Sequence, residues 1–144
     1  GFNVRPTDYQ ANIGLGQLSK LEWTIQQRKD NHELYRTLLG QNFCIQSYQP
    51  DVEVCSIHFA LLAESSEQRD KIASALTANS IETRLYSAGN LGLHPFWYDN
   101  YGKFNAPMAT RIYDCGLFLP NNPSLKREDI EFICDVVLEV VMGE

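Results

Sequence analysis

Residues 115–125 read CGLFLPNNPSL, an apolar run closed by a turn of prolines and asparagines. The run from Cys115 to Leu119 predicts a short strand, because the Pro120–Pro123 turn cannot continue a ladder of backbone hydrogen bonds. A last helix is predicted to begin at Ser124 or Lys126, where apolar residues start to recur at helical spacing. Its apolar stripe comprises Ile130, Ile133, Cys134, Val137 and Val141. This segment is therefore interpreted as structural.

The elements upstream are predicted from alternation, spacing and capping residues. Three strands are predicted, over Phe43–Tyr48, Val54–Ala63 and Ile81–Tyr86. The second strand has Cys55, Ile57, Phe59 and Leu61 on one face. Ser65 and Gln68 predict a capping box and a helix that ends at Asn79, which suits a left-handed cap. An aromatic loop over residues 87–105 and a helical turn over Met108–Asp114 complete this part of the chain.

The N-terminal part predicts one long helix. Thr7 and Gln10 form a capping-box pattern, and apolar residues recur near 3.6 spacing from Asp8 to Leu39. Gly14 and Gly16 each cost about 1 kcal/mol relative to Ala inside a helix, so close packing on a neighbouring element is expected there. The order of elements predicts an α+β fold, a small, mostly antiparallel sheet with helices on one face, in a single domain spanning residues 1–144.

Composition narrows the class of protein. The chain has 144 residues, 44% of them hydrophobic and 21% charged, which is typical of a globular domain. Its net charge of -6 argues against nucleic acid as a partner, because phosphate backbones require a basic surface. No apolar run approaches the length of about 18 residues that spans a membrane, so no membrane partner is expected.

The cysteines and histidines do not predict a metal site. Cys44, Cys55, Cys115 and Cys134 form no C-x-x-C pair and are interpreted as reduced core residues of a cytoplasmic protein. The histidines, His32, His58 and His94, lack ligand spacing.

Polar residues in two loops are candidates for ligand binding. Asn3 and Arg5 offer amide and guanidinium donors that suit an anion, although Asn3 could instead cap a turn and Arg5 pair with Asp8. Tyr86 and Asn90 lie where the third strand runs into a glycine-bearing turn, which could equally be only a turn. His94 opens an aromatic segment that could stack on a base or sugar, or bury its own rings over the domain.

Three motifs together resemble the DegT-type (DegT/DnrJ/StrS) family of sugar-nucleotide aminotransferases. They are GFNVRPTDYQA (residues 1–11) followed by GLGQL (14–18), IETRLYSAGNL (81–91), and GLFLPNNPSL (116–125) followed by Glu128, Asp129 and Ile130. The resemblance covers nearly the whole chain. It implies the small C-terminal domain of the aspartate-aminotransferase fold, in a cytoplasmic homodimer that uses pyridoxal phosphate (PLP) or pyridoxamine phosphate (PMP) on a nucleotide-linked 4-keto-sugar.

The same resemblance implies roles for individual residues. Asn3 matches the residue that binds the PLP phosphate in the partner subunit's site, and Arg5 lies beside it. Tyr86, Asn90 and His94 lie in the loop that reaches the sugar-nucleotide pocket. The Lys that carries PLP in this family precedes the GFN motif, so no catalytic residue is expected in this chain, and the chain alone is expected to be inactive and prone to associate.

Two alternatives remain open. In aminotransferase members the second loop carries Pro-Leu-His, whereas this chain has Ala88, Gly89, Asn90 and Leu91. That pattern resembles the PMP-dependent 3-dehydratase subgroup, which has His in place of the PLP-bearing Lys. The other alternative is a stand-alone binding module without catalysis.

Overall fold

Helices and three short strands alternate along the chain in a computed structural model that describes residues 6–86, 89–104 and 106–143. The helices are α1 (Asp8–Leu18), α2 (Leu21–Leu39), α3 (Ser66–Ala78), α4 (Pro95–Tyr101), α5 (Pro107–Cys115) and α6 (Arg127–Met142). The strands are β1 (His58–Leu62), β2 (Arg84–Leu85) and β3 (Gly116–Pro120), and a 3₁₀ turn spans Leu91–Leu93. This is the predicted α+β class.

The strand predicted at residues 115–119 is confirmed, and it lies at the centre of the sheet. The strand order is β1-β3-β2, and both pairings are antiparallel. Phe59 lies opposite Leu119 across the first pair, and Arg84 lies opposite Phe118 across the second. Because side chains alternate along a strand, β3 presents Leu117 and Leu119 to one face and Phe118 to the other.

Helices cover one face of this sheet, as predicted. Phe59, Leu61, Leu117 and Leu119 are fully buried in a core shared with α2, α3 and α6. The Tyr35 ring of α2 stacks on Phe59 at 4.8 Å between centroids. Each buried Leu or Phe contributes roughly 1.5–3 kcal/mol relative to exposure, so this layer is the main source of stability.

The last helix agrees closely with its predicted stripe. Ile130, Ile133, Cys134 and Val137 are buried, and Val141 is half-buried. The Lys126 backbone N–H donates to the Asp129 carboxylate at 2.8 Å, which caps the helix start. The helix accordingly begins at Arg127, just after the second predicted start.

The long N-terminal helix is in fact two helices. The Thr7–Gln10 capping box is confirmed, with Thr7 N–H donating to Gln10 Oε1 at 2.9 Å. The continuous helix predicted to Leu39 is wrong, because the chain turns at residues 19–20, where the Ser19 hydroxyl donates to the Gly16 carbonyl at 2.9 Å. No residue of α1 is buried.

The expected packing on Gly14 and Gly16 is not found among the described residues. No atom lies within 4 Å of a Cβ built on either glycine. Leu15, Leu18 and Trp23 are exposed, as expected if this helix packs on something else.

Three predicted strands are shorter than expected. Phe43–Tyr48 contributes one isolated bridge, between Cys44 and Leu62, and no strand. Val54–Ala63 is reduced to β1, and Ile81–Tyr86 to the two residues of β2. Cys55 and Ile57, which lie between the turn closed by Val52 N–H to Gln49 C=O and the start of β1, are exposed instead of buried.

Two caps differ from the predictions in detail. Gln68 N–H donates to Ser65 Oγ as expected, but Gln68 Oε1 accepts from Glu64 N–H and not from Ser65. Asn79 does not adopt the left-handed conformation; the next residue, Ser80, does, with a φ of 60°.

The cysteines divide into two pairs. Cys115 and Cys134 are buried core residues as predicted, whereas Cys44 and Cys55 are exposed, so that prediction is wrong for them. All four are free thiols. Burial raises the pKa of Cys134 to about 12, which keeps this thiol protonated and unreactive.

A set of side-chain hydrogen bonds, here named the α2 clamp, ties α2 to residues 120–122. The Tyr35 hydroxyl donates to the Pro120 carbonyl at 2.9 Å, and Asn31 Nδ2 donates to the Asn122 carbonyl at 3.1 Å. Asn121 is 1% exposed, and its Nδ2 donates to the carbonyls of Arg28 at 3.2 Å and Ser56 at 2.9 Å. The clamp joins segments about 65 to 93 residues apart in sequence.

We expect Asn121→Ala to lower the free energy of unfolding by about 2 kcal/mol, because it leaves two carbonyls without their side-chain donor in a buried site. Urea unfolding followed by circular dichroism measures the change. The matched control is Asn122→Ala, which removes only an exposed bond to Ser124 N–H. If Asn121→Ala lowers the free energy of unfolding no more than Asn122→Ala does, the clamp does not stabilise the fold.

His32 is a buried titratable group beside the clamp. Its ring lies edge-on to Phe59 at 5.1 Å and to Tyr48 at 5.8 Å, and its Nδ1 is buried without a partner among the described residues. Burial, aided by Arg36 and opposed by Glu33, holds the pKa of His32 below its ordinary value of 6.5. The folded protein therefore binds this proton less readily than the unfolded chain does.

The sign of this shift predicts that stability falls as the pH drops below about 6.5, where the unfolded chain takes up a proton that the folded state resists. Unfolding free energies at pH 7.5 and 5.5 measure the loss. His32→Gln should flatten the pH dependence, whereas His58→Gln, at a half-buried position, should leave His32's contribution in place. Identical slopes for the parent and His32→Gln would refute this assignment.

Candidate functional site

The segment from Tyr86 to His94 is here named the 86–94 loop, and its described residues, Tyr86 and 89–94, make contacts to α5 and to the start of β3. Tyr86 lies against Gly116, Gly89 against Tyr113, and Asn90 against Thr110. A Cβ on Gly116 would lie 2.3 Å from the Tyr86 ring, and one on Gly89 would lie 2.2 Å from the Tyr113 ring. Glycine at both positions therefore lets the loop approach the helix closely.

Tyr86 is held by packing on the open face of the sheet. Its ring stacks on Phe118 at 4.3 Å between centroids, and Phe118 stacks in turn on His58 at 5.2 Å. Burial, with smaller effects of Tyr48 and Cys44, raises the pKa of Tyr86 above its ordinary value of 10.0. The phenol therefore stays protonated at neutral pH and can act as a hydrogen-bond donor.

Asn90 uses its amide within the loop. It is 4% exposed; its Nδ2 donates to Thr110 Oγ1 at 2.8 Å, and its Oδ1 accepts from Gly92 N–H at 3.1 Å. These bonds cap the 3₁₀ turn and anchor the loop to α5. In this arrangement Asn90 shapes the loop, and direct binding of a ligand by its side chain stays a prediction.

His94 marks the end of the loop and the start of α4. The residue is half-buried, and its ring lies tilted to that of Phe96 at 5.9 Å. Of the two interpretations of the aromatic segment, burial of its rings over the domain is wrong, because Phe96, Tyr101 and Phe104 are 61%, 75% and 62% exposed. The segment forms α4, which begins at Pro95 and is capped by Gly102, and none of its residues is buried.

Sequence reasoning missed the residues that support the loop. Thr110 and Tyr113 are spaced i, i+3 on α5 and so lie on one helix face toward the loop. Phe118 is the outward residue of β3. The alternation of β3 could have identified Phe118, but nothing in the sequence pairs α5 with a loop twenty residues earlier.

The two residues predicted to bind the cofactor, Asn3 and Arg5, lie outside the described residues. Of the described lysines, Lys29 pairs with Glu53 at 2.8 Å, Lys71 pairs with Glu67 at 3.3 Å, and Lys103 lies over the Tyr98 ring.

Neither a metal site nor a membrane span emerges from residues 6–86, 89–104 and 106–143. No three histidine, cysteine or acidic side chains lie close enough to hold an ion there. Within the same ranges, every helix is too short or too polar to cross a bilayer.

A sequence model of the DegT/DnrJ/EryC1/StrS aminotransferase family matches residues 1–138. The chain belongs to this family. GDP-perosamine synthase of Escherichia coli O157:H7 is 27% identical to the chain over 141 residues, which are 96% of the chain and 37% of that protein. The GDP-4-keto-6-deoxy-D-mannose 3-dehydratase of Yersinia pseudotuberculosis is 32% identical over 92 residues, 62% of the chain and 23% of that protein.

A solved structure of a family enzyme has the same fold. The E. coli GDP-4-keto-6-deoxy-D-mannose-3-dehydratase with bound hydrated PLP matches with a TM-score of 0.83, at 23% identity, over 95% of this chain and 36% of that one. The chain therefore has part of the fold of these PLP enzymes. It spans a little over a third of the length of the relatives that match most of it.

We expect Gly89→Ala to destabilise the chain by about 2 kcal/mol, because Gly89 has a φ of 53° and its Cβ would displace the Tyr113 ring. Gly102→Ala is the matched control, with a φ of 78° but no atom within 4 Å. It should show only the backbone strain.

The double variant Gly89→Ala/Tyr113→Ala separates strain from the clash. Unfolding free energies of the single and double variants give the coupling, which should be about 1 kcal/mol in favour of the double variant. Additive effects would show that the loop and α5 do not touch at Tyr113.

Proposed function

We propose that residues 1–144 form the small C-terminal domain of a PLP- or PMP-dependent enzyme that acts on a nucleotide-linked 4-keto-sugar. Membership of the aminotransferase family is the observation that carries this proposal. The share of the relatives' length that is matched, about 37%, suits one domain of a larger enzyme. The exposed α1, with no atom near Gly14 or Gly16, offers a surface on which another domain can pack.

The most favoured activity is amino transfer to the sugar for a cell-surface polysaccharide. When bound, the cofactor supplies an electron sink for this chemistry. Asn3 is proposed to donate its amide N–H to the cofactor phosphate, with Arg5 adding charge, because both side chains present donors to an anion. Catalytic amine chemistry is assigned to a part of the enzyme outside these 144 residues.

The 86–94 loop is proposed to contact the sugar nucleotide. Tyr86 contributes a protonated phenol whose ring is fixed by Phe118, so the donor can be oriented before substrate binds. Asn90 holds the loop on α5, and His94 stands beside the exposed rings of α4, which can stack on a base or a sugar. The loop would thus supply orientation and exclude water.

The assembly and compartment follow from the same proposal. The enzyme would be a homodimer in which this chain completes the site of the partner subunit through Asn3 and the 86–94 loop. It would work in the cytoplasm, where sugar nucleotides are available; four free thiols suit a reducing compartment.

Two alternative functions fit the same chain. A PMP-dependent 3-dehydratase is favoured by the Ala88–Leu91 pattern and by the 3-dehydratase relative at 32% identity. A non-catalytic binding module is the remaining alternative, and it predicts that the whole encoded polypeptide lacks turnover.

The test compares the 144-residue chain with the complete encoded polypeptide, each with PLP, glutamate and GDP-4-keto-6-deoxy-D-mannose, with products identified by mass spectrometry. The chain alone should give no turnover, since the catalytic amine is proposed to lie outside these 144 residues. A GDP-amino sugar from the complete polypeptide identifies an aminotransferase, and a 3-deoxy product identifies a dehydratase. Turnover by the chain alone, or none by the complete polypeptide with any nucleotide 4-keto-sugar, would overturn the proposal.

Tyr86→Phe tests what this chain contributes. It keeps the ring stacked on Phe118 and removes one donor, so KM for the sugar nucleotide should rise roughly 2- to 10-fold. Tyr98→Phe, on α4 beneath Lys103, is the matched control and should change KM less. Equal effects would assign Tyr86 to packing only.

A further inference from the structure

The segment between α2 and β1 lies across one face of α2. Its residues 45–55, here named the 45–55 strap, form no helix or strand. Both ends are anchored, because Cys44 forms the bridge to Leu62 and the Ser56 carbonyl accepts from Asn121 Nδ2 at 2.9 Å. Between these anchors the strap and α2 together line a cavity of about 290 Å³.

Few contacts hold the middle of the strap on α2. Glu53 accepts from Lys29 Nζ at 2.8 Å, and the Tyr48 ring lies edge-on to His32 at 5.8 Å between centroids. Glu53 is exposed, and ion pairs between exposed side chains contribute little stability. No backbone hydrogen bond joins residues 45–55 to another described segment. The strap can therefore detach while its two ends stay attached.

His32 lies beneath the strap, beside the rings of Tyr48 and Phe59, and is 3% exposed. Its Nδ1 is buried without a partner among the described residues. Protonation of the neutral ring would place a positive charge and an unpaired N–H in this buried site, which costs free energy. Detachment of the strap would expose the ring to water, where the charged form is hydrated.

The titratable and charged groups that face His32 come from α2 and the strap; they are Lys29, Glu33, Arg36, Tyr48 and Glu53. β1 faces the ring with the uncharged Phe59. Burial is the largest effect and lowers the pKa of His32 from 6.5; Glu33 opposes this shift and Arg36 adds to it. The surroundings of the closed strap thus favour the neutral ring.

We propose that the 45–55 strap is a pH-sensitive element that detaches from α2 when His32 takes up a proton. Because the exposed ring titrates near 6.5, the ratio of open to closed chains should rise by at most about tenfold between pH 7.5 and 5.5. The ion pair of the strap does not supply this response, since its hydrogen bond to Lys29 lowers the pKa of Glu53 from 4.5. Glu53 therefore stays ionised throughout this range.

The test is ¹⁵N relaxation dispersion on the 144-residue chain at pH 7.5 and 5.5, which measures the population of a minor open form at each residue. Residues 46–54 should show an open population that grows severalfold at the lower pH, whereas Leu119 of β3 and Val137 of α6 should not. The same exchange at Leu119 and Val137 would mean that the whole fold opens. That result, or a strap without exchange, would overturn the proposal.

His32→Gln removes the titrating group and should make the open population equal at the two pH values. His58→Gln, at a half-buried position of β1, is the matched control and should keep the rise at low pH. His32→Met is a second variant without a titrating ring, to be used if His32→Gln does not fold. A rise that persists without the His32 ring would contradict the proposal.

Glu53→Gln separates the attachment of the strap from its pH response. Loss of the ion pair with Lys29 should raise the ratio of open to closed chains by up to about fivefold at both pH values, and the response to pH should remain. Glu131→Gln breaks the exposed pair with Arg127 on α6 and should leave the strap unchanged. A pH response that disappears in Glu53→Gln would assign it to the ion pair and contradict the role of His32.

Discussion

The hydrogen bonds of the α2 clamp set the position of the longest helix. No strand follows α2 directly, and the segment up to β1 makes a single backbone bridge to the sheet. Apolar packing of Tyr35 and Leu39 is non-directional, so it is compatible with several rotations of α2 about its axis. The hydrogen bonds from α2 to the carbonyls of Pro120 and Asn122 are directional and are compatible with only one rotation. The clamp thereby also fixes the Pro120 end of β3, the central strand with which both β1 and β2 pair.

The other end of β3 positions the 86–94 loop. Gly116 admits the Tyr86 ring, Phe118 stacks beneath that ring, and Thr110 anchors Asn90. Side chains of α5 and β3 therefore hold the loop, and within its described residues the 3₁₀ turn at Leu91–Leu93 adds local structure. The two polar candidates differ in their contacts: the Tyr86 ring stacks on Phe118, whereas the amide of Asn90 is already hydrogen-bonded to Thr110 and Gly92.

Local patterns predicted the parts of the fold that depend on neighbouring residues. The α6 stripe, the Thr7 capping box and the β3 strand were predicted correctly, because spacing and capping are short-range. The strand at Phe43–Tyr48 was wrong, since β propensity cannot reveal that this segment meets β1 at a single bridge, between Cys44 and Leu62. The break at residues 19–20 is marked only by a local turn with a Ser19 hydroxyl bond, and the contact between α5 and the 86–94 loop spans twenty residues, so neither leaves a clear pattern in the sequence.

The isolation of α1 links folding to assembly. An 11-residue helix is marginal in water, and α1 adds two glycines and no buried side chain. Its helical state then gains stability only when another surface covers Leu15 and Leu18. The entropy lost in ordering these residues is subtracted from the free energy of that association, so the helix content of the N-terminus should vary with the concentration of whatever binds it. The order of α1 is thus tied to the concentration of a partner, whereas the hydrophobic core contains no residue of α1.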